Sequence, residues 1–396
     1  MDMFGRKTPV NTDPDKIEAI LTRGISNIAV LEDLKKELLS GRQLRVKLGI
    51  DPTSKNIHLG RSTQLLKLRD FQELGHTIIF ILGDFTGIIG DTSDKESERP
   101  MLSEEEIEEN QKTYFEQVGK VIDLEKAETR RNSEWLGKLT YKEIGEQADQ
   151  FSVADFIARD TIRNRLDKGT RVSLREVLYP LMQGYDSVAI EADVEIGGSD
   201  QWFNLLAGRS LQEHYKQKPQ NIITMDLLLG LDGRKMSSSR GNTINITEEP
   251  QSMYGKVMSM GDDMMEDYFI LCTRVPMTEI ESMKKGREEN KIHPRDMKMR
   301  LAREIVTLYH GGKAAEEAEQ AFTETFREGS LPQDTQEVSV EKGASLGTTL
   351  IDAGIVASKN EFRRLVRDGG ISIIGGEKIT NDAFVIEDSI DVKVGK

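Results

Sequence analysis

The chain has 396 residues, 37% of them hydrophobic and 31% charged, with a formal net charge of −14 and a single cysteine, Cys272. This is the balance of a globular chain with roughly two or three domains and enough apolar material for a core. It argues against sequence-blind binding of nucleic acid, which needs cations against phosphate, but leaves room for an RNA read by a local basic face.

A lone cysteine forms no internal disulfide, and no Cys/His spacing suits zinc. The opening MDMFGRKTPVNTDPD lacks the apolar run of a secretion signal. A cytoplasmic protein with no membrane attachment and no structural metal is expected.

In chain order, LRVKLGI (44–50) predicts a strand, DPTSKN a turn, and the segment from His58 to about Leu74 a helix. TIIFIL (77–82) predicts the next strand, too short to span a bilayer and apolar enough to be buried. GDFTGIIGDTSDKESERP (83–100) follows as a polar loop with glycine turns, and SEEEIEENQKTYFEQ (103–117) as one acidic helix with a solvated face. SLREVLYPLMQGYDSVAIEA (173–192) predicts a long, largely buried helix, leading into a strand, a glycine turn and a further helix over DVEIGGSDQWFNLLAGRSLQ. Strands alternating with helices predict a parallel α/β sheet.

Past Gly241 the character becomes helical, with Met297, Leu301, Ile305 and Leu308 spaced as a buried stripe. Residues 327–343 carry no apolar periodicity and read as a linker. The remainder mixes short helices and strands. The expected class is therefore α/β, with a parallel-sheet domain over 1–230, a loop and helical domain over 231–330, a linker over 331–342 and a small α+β domain over 343–396.

Four stretches could carry chemistry. His58 and Gly60 open a helix just after a strand, where helix N-termini attract phosphate; the same residues also suit an ordinary helix start. Asp91, Lys95 and Arg99 lie beyond the carboxyl end of a strand, where open α/β sheets bind ligands; a plain polar loop would look the same. Tyr179, Gln183 and Asp186 share one face of an otherwise apolar helix, and GGSDQ adds Asp200 and Gln201. Such polar groups need partners, either a bound polar ligand or a core network. Lys235, in LDGRKMSSSRGN (231–242), sits on a loop that is either a serine-rich turn or a swinging phosphate contact.

Taken in this order, the elements resemble the bacterial tyrosyl-tRNA synthetases of class I, over nearly the whole chain. HLGR stands where that family has HIGH and KMSSS where it has KMSKS; GGSDQWFN is close to a hallmark, and YPLMQGYD matches the tyrosine-binding helix. The segment from about Gly343 looks like an S4 RNA-binding domain. The resemblance implies a Rossmann-like catalytic domain with an inserted dimerisation region, and a helical domain on the anticodon side. It implies a homodimer that makes tyrosyl-adenylate from L-tyrosine and ATP with Mg2+, then moves tyrosine to the 3′ end of tRNA(Tyr).

By position it gives the tyrosine ammonium group to Asp91, Tyr179 and Gln183, the phenol to Asp186, and a lining place to Gln201. Gly49, Asp51, Gly60, Gly198, Asp200, Met236, Ser237 and Ser238 would face ATP or the adenylate. His58, Lys95, Arg99 and Lys235 would stabilise the reacting phosphates.

Four residues depart from the pattern: Ser238 for the second lysine of KMSKS, Arg61 for the last histidine of HIGH, Asp94 for a loop glycine, and Lys47 for a tyrosine near the phenol. Arg61, or else Arg240, is expected to offset the lysine missing at 238. Lys359, Arg363 and Arg367 form a basic stripe expected to meet tRNA, with Phe362, Leu365 and Val366 turned toward a small core. Two other readings stand beside this one. One is a tryptophanyl synthetase or another nucleotidyl transferase; the other is a paralogue without charging activity that binds RNA or adenylate.

Overall fold

A computed structural model of the chain describes residues 9–91, 101–327, 338–340, 342–367, 369–373, 378–387 and 389–395. Two compact units divide between Glu316 and Glu317. The first is built on six strands: β1 (Ile25–Ala29), β2 (Arg45–Ile50), β3 (Thr77–Leu82), β4 (Ala127–Arg131), β5 (Val194–Gly198) and β6 (Asn221–Met225). They lie in the order β1-β6-β5-β2-β3-β4, all neighbours parallel except β1 against β6. β3, β5 and β6 are buried along nearly their whole length because both faces of a central parallel strand are covered. The polar edge strand β4 (AETRR) has no apolar run, so periodicity did not predict it.

The order places β2 beside both β3 and β5, so successive crossovers leave in opposite directions and a crevice opens at the carboxyl ends of β2 and β5. The helix Leu59–Glu73 follows β2, and the helix Leu174–Ala189 precedes β5. The latter starts in a capping box of Ser173 and Glu176, with the buried Arg165 guanidinium 2.6 Å from the Glu176 carboxylate. It packs closely on the helix Trp202–His214, because Gly184 leaves no room for a side chain. A Cβ there would lie 3.0 Å from the backbone of Ala207 and of Gly208. Gly184→Val is expected to cost about 1–3 kcal/mol of stability, read as a lower urea midpoint.

Three sequence expectations change. Residues 84–89 of the supposed loop form a helix, Asp84–Ile89, and Gly90 at φ 81° then turns the chain to Asp91. The acidic helix breaks at Thr113 into Glu104–Gln111 and Tyr114–Gly119. The break lets Tyr114 and Gln117 reach back to the loop after β2: the Tyr114 hydroxyl donates to Ser54 O at 2.8 Å, and Gln117 accepts from Ile57 N at 2.7 Å. In the helix Pro294–His310, Tyr309 and not Leu308 completes the buried stripe, donating its hydroxyl to Ser62 Oγ at 2.8 Å.

In the second unit, β7 (Ala344–Ser345) pairs with β9 (Val385–Ile386), and β8 (Ile371–Ile373) with β10 (Val392–Val394), both antiparallel. The helices Leu346–Asp352 and Lys359–Arg367 close over a core that includes Leu350, Phe362, Val366 and Ile371, with Leu365 packed at its margin.

Candidate active site

A cavity of about 560 Å³ occupies the crevice at the switch point. Its deep end is Asp186, only 4% exposed, whose Oδ1 accepts from Trp135 Nε1 at 2.7 Å and whose Oδ2 accepts from Asn132 Nδ2 at 3.3 Å. Burial pushes this carboxyl up to about 7, opposed by the positive field of Lys47 and by the two N–H donors. Both donors follow β4, the edge strand that carried no sequence signal.

Midway along the wall, Tyr179 donates its hydroxyl to Asp51 Oδ2 and Thr86 its hydroxyl to Asp51 Oδ1, each at 2.7 Å. Burial lifts Asp51 to about 6, against these two hydrogen bonds. Opposite, Gln201 Nε2 donates to Asp91 Oδ2 at 2.6 Å. The cavity thus carries several carboxylates along its length, a surface suited to an ammonium group.

At the mouth, two distant stretches of chain meet. Leu59 N donates to Ile244 O, and Ile246 N to Ile57 O, both at 2.9 Å, which stitches the start of the Leu59–Glu73 helix to the segment after the serine-rich loop. Gly60 N points at Met236 Sδ, 3.3 Å away, and the Cβ that Gly60 lacks would press on His58 at 3.1 Å. The first N–H groups of this helix therefore already have partners, one of them a weak sulfur acceptor. This changes the expectation of a bare helix N-terminus: the ring of His58 is what the helix start turns to the cavity. His58 is buried with Nδ1 unpartnered. Its pKa is pushed down to about 3, first by burial and then by Arg61 and Lys235, so it is a neutral hydrogen-bonding group. Lys235 Nζ rests 2.9 Å from Asp200 Oδ2, and Ser238 Oγ lies 3.2 Å from Ser54 Oγ.

The family follows from comparison. Residues 39–327 match the model of the tRNA synthetases class I (W and Y). The chain is 47% identical over 392 residues to the tyrosine–tRNA ligase of Moorella thermoacetica, covering 98% of this chain and 95% of that one. It is 45% identical over 371 residues to the tyrosine–tRNA ligase of Haemophilus influenzae, covering 93% and 92%. The chain belongs to the class I tyrosyl-tRNA synthetases. The fold agrees with the C-terminally truncated mitochondrial tyrosyl-tRNA synthetase of Aspergillus nidulans, at TM-score 0.66 and 22% identity over 78% of this chain and 94% of that one.

In this tyrosyl-tRNA synthetase the cavity gathers Gly49, Asp51, His58, Gly60, Arg61, Asp91, Tyr179, Gln183, Asp186, Asp200, Gln201, Lys235, Met236, Ser237 and Ser238 on one surface. Gly198 ends β5 beside Asp200 without lining it. Lys95, Arg99 and Asp94 lie outside the described residues, as does most of the expected linker. Lys359, Arg363 and Arg367 are exposed on the second unit, with Arg363 Nε 3.0 Å from Asp382 Oδ2. Thr86, Asn132 and Glu195 also line the cavity and were missed. Thr86 sits in the helix taken for a loop, Asn132 follows the unpredicted edge strand, and Glu195 is a charge inside a buried strand.

Arg61 lines the cavity and is also engaged by the loop after β2. Its guanidinium donates to Asp51 O and Thr53 Oγ1, each at 3.0 Å, and to Tyr114 Oη at 3.2 Å. It braces the loop after β2, whose Ser54 meets Ser238. Arg61→Ala is thus expected to slow adenylate formation about tenfold by loosening that loop, an effect on the scale of one or two lost charge-assisted bonds. Ser238→Lys should give no recovery in that background, and pyrophosphate exchange in the single and double variants checks this.

Proposed function

We infer that this cavity activates L-tyrosine with ATP and that the chain then charges tRNA(Tyr). The observation that carries the reading is the polarity of the cavity. A buried hydrogen-bond acceptor with two fixed donors stands at the deep end, carboxylates line the middle, and a neutral histidine and a loop lysine stand at the mouth. Tyrosine fits this gradient with its phenol on Asp186 and its ammonium group among Asp91, Tyr179 and Gln183. Gln201 holds Asp91 in place. ATP takes the open half, against Gly49, Asp51, Gly60, Asp200 and the loop of Met236, Ser237 and Ser238.

In the first step a tyrosine carboxylate oxygen attacks the α-phosphorus, the bond to the bridging oxygen breaks, and pyrophosphate leaves. His58 donates a hydrogen bond to the phosphates without adding charge, and Lys235, with Lys95 and Arg99, supplies the charge. In the second step a hydroxyl at the tRNA 3′ end attacks the tyrosyl carbonyl and AMP departs. No covalent enzyme intermediate is needed; position and charge are what the protein contributes. The described residues contain no cluster of three or more His, Cys, Asp or Glu suited to a metal, so Mg2+ would arrive on the ATP phosphates.

The exposed apolar side chains Tyr141, Val153, Ile157, Leu166 and Leu174 support a homodimer formed through the region before the Leu174–Ala189 helix. Among the described residues no helix is long and apolar enough to cross a membrane. ATP–pyrophosphate exchange with tyrosine, phenylalanine and tryptophan tests the reading; exchange supported equally by tryptophan, or absent with tyrosine, would overturn it.

Residues 343–396 are assigned to tRNA binding through Lys359, Arg363 and Arg367, which stand on the outer side of their helix while Phe362 and Val366 face its core. Truncation after Lys342 is expected to leave exchange within about twofold and to lower tRNA charging by at least about tenfold at 0.15 M salt, since lost phosphate contacts weaken binding steeply. An equal fall in both activities would defeat the assignment.

A further inference from the structure

Lys47 of β2 and Glu195 of β5 are register partners on adjacent parallel strands at the switch point. Their side chains leave the sheet on the same face, each is 1% exposed, and Nζ stands 2.9 Å from Oε1. A buried pair is weak evidence for stability, since two apolar side chains would hold the strands as well, so its presence in a cavity wall asks for another reason.

The hydrogen bonds supply one. Besides Glu195, Lys47 Nζ donates to Ser187 Oγ at 2.9 Å and to the main-chain carbonyl of Gln183 at 3.1 Å. Two hydrogen bonds and the ion pair thus tie the ammonium group to the protein on three sides. Glu195 in turn accepts from Ser187 Oγ at 3.0 Å, from Gln220 Nε2 at 2.5 Å and from Gln183 Nε2 at 3.4 Å. The pair therefore grips the Gln183 turn by backbone and side chain, one turn before Asp186.

The groups around Asp186 are few. β2 presents Lys47 and β5 presents Glu195, while the segment after β4 presents the neutral Asn132 and Trp135. Arg130 lies over the Trp135 ring, paired with Glu134. On its own helix stands Tyr179, a phenol that burial keeps protonated. Asp84, on the helix Asp84–Ile89, accepts from Ser133, and the helix Trp202–His214 brings backbone at Ala207 and Gly208.

We propose that Lys47 is a positioning residue for the phenol end of the tyrosine site, fixing the Gln183 turn through Glu195 and supplying the positive field under which Asp186 accepts the substrate hydroxyl. The proposal rests on the reading of the cavity as a tyrosine site. Burial lifts the Asp186 carboxyl, Lys47 lowers it and Glu195 raises it further, the Lys47 effect being the larger of the two. An acceptor carboxylate is present above its pKa and lost as pH falls through it. KM for tyrosine should thus rise as pH falls through about 7.

The test is the pH profile of tyrosine KM and kcat in pyrophosphate exchange, between about pH 6 and 8.5, for the parent, Lys47→Met and Glu195→Gln. Lys47→Met should move the acid limb up by about one pH unit, giving about fivefold higher KM at pH 7 and less than about twofold at pH 8.5. Glu195→Gln should move the limb down, and if Lys47→Met does not fold, its direction carries the test. A rise in KM of equal size at every pH in both variants, or limbs that do not move in opposite directions, overturns the proposal. A parent without tyrosine-dependent exchange would instead defeat the reading on which it rests.

Discussion

Replacing Lys235 with alanine is expected to lower kcat for adenylate formation about 10²–10³-fold, with less than about threefold change in tyrosine KM. The effect depends on which cations can serve the phosphates. His58 is neutral, its pKa held down at about 3 by burial. Arg61 is committed to the loop after β2, and Arg240 is exposed with its guanidinium turned back on Lys235 O at 3.5 Å. Lys235 reaches the cavity from a loop, resting on Asp200 in a pair of which 27% and 19% of the side chains are exposed. The ammonium would leave Asp200 for a departing pyrophosphate, whose growing negative charge offsets the loss of this part-buried pair. Because that charge grows as the reaction proceeds, the loss should fall on kcat. Lys95→Ala and Arg99→Ala, measured alongside, apportion the remainder. A fall of less than about tenfold, or one matched by a loss of tyrosine affinity, would remove Lys235 from this role.

Asp186→Asn should lower kcat/KM for tyrosine about 10–150-fold and leave that for phenylalanine nearly unchanged, erasing most of the preference between them. The carboxylate accepts from Trp135 with one oxygen and from Asn132 with the other, and each oxygen retains a lone pair. An amide keeps one acceptor and turns an NH2 group toward a donor, so either Trp135, Asn132 or the substrate hydroxyl loses its partner. Phenylalanine brings no hydroxyl and has nothing to lose. Exchange rates with both amino acids, for parent and variant, decide the matter; an unchanged preference would mean that the phenol is read elsewhere.

Sequence and structure divide the molecule along physical lines. The apolar runs of β2, β3 and β5, and the buried helix carrying Tyr179, Gln183 and Asp186, were legible because central parallel strands and buried helices need near-continuous hydrophobicity. Short motifs, HLGR, GGSDQ and KMSSS, marked the strand and helix ends that border the cavity. The edge strand β4 was not legible, because an edge tolerates charge, and with it went Asn132 and Trp135, the two donors that orient Asp186.

By itself the sequence determined the class of fold, the family and about half of the residues that line one cavity, since each of these depends on local periodicity or on residue identity at fixed spacing. Only the tertiary structure decided which groups act on which. The backbone bonds between residues 57–59 and 244–246 bring the HLGR and KMSSS stretches together from far apart in the chain. The register of β2 with β5 turns Lys47, in sequence an isolated charge in a strand, into half of an ion pair with Glu195. The guanidinium of Arg61, in the first turn of its helix, turns back to the loop after β2. Such pairings arise from contacts between segments far apart in the chain, and no local pattern of residues encodes them.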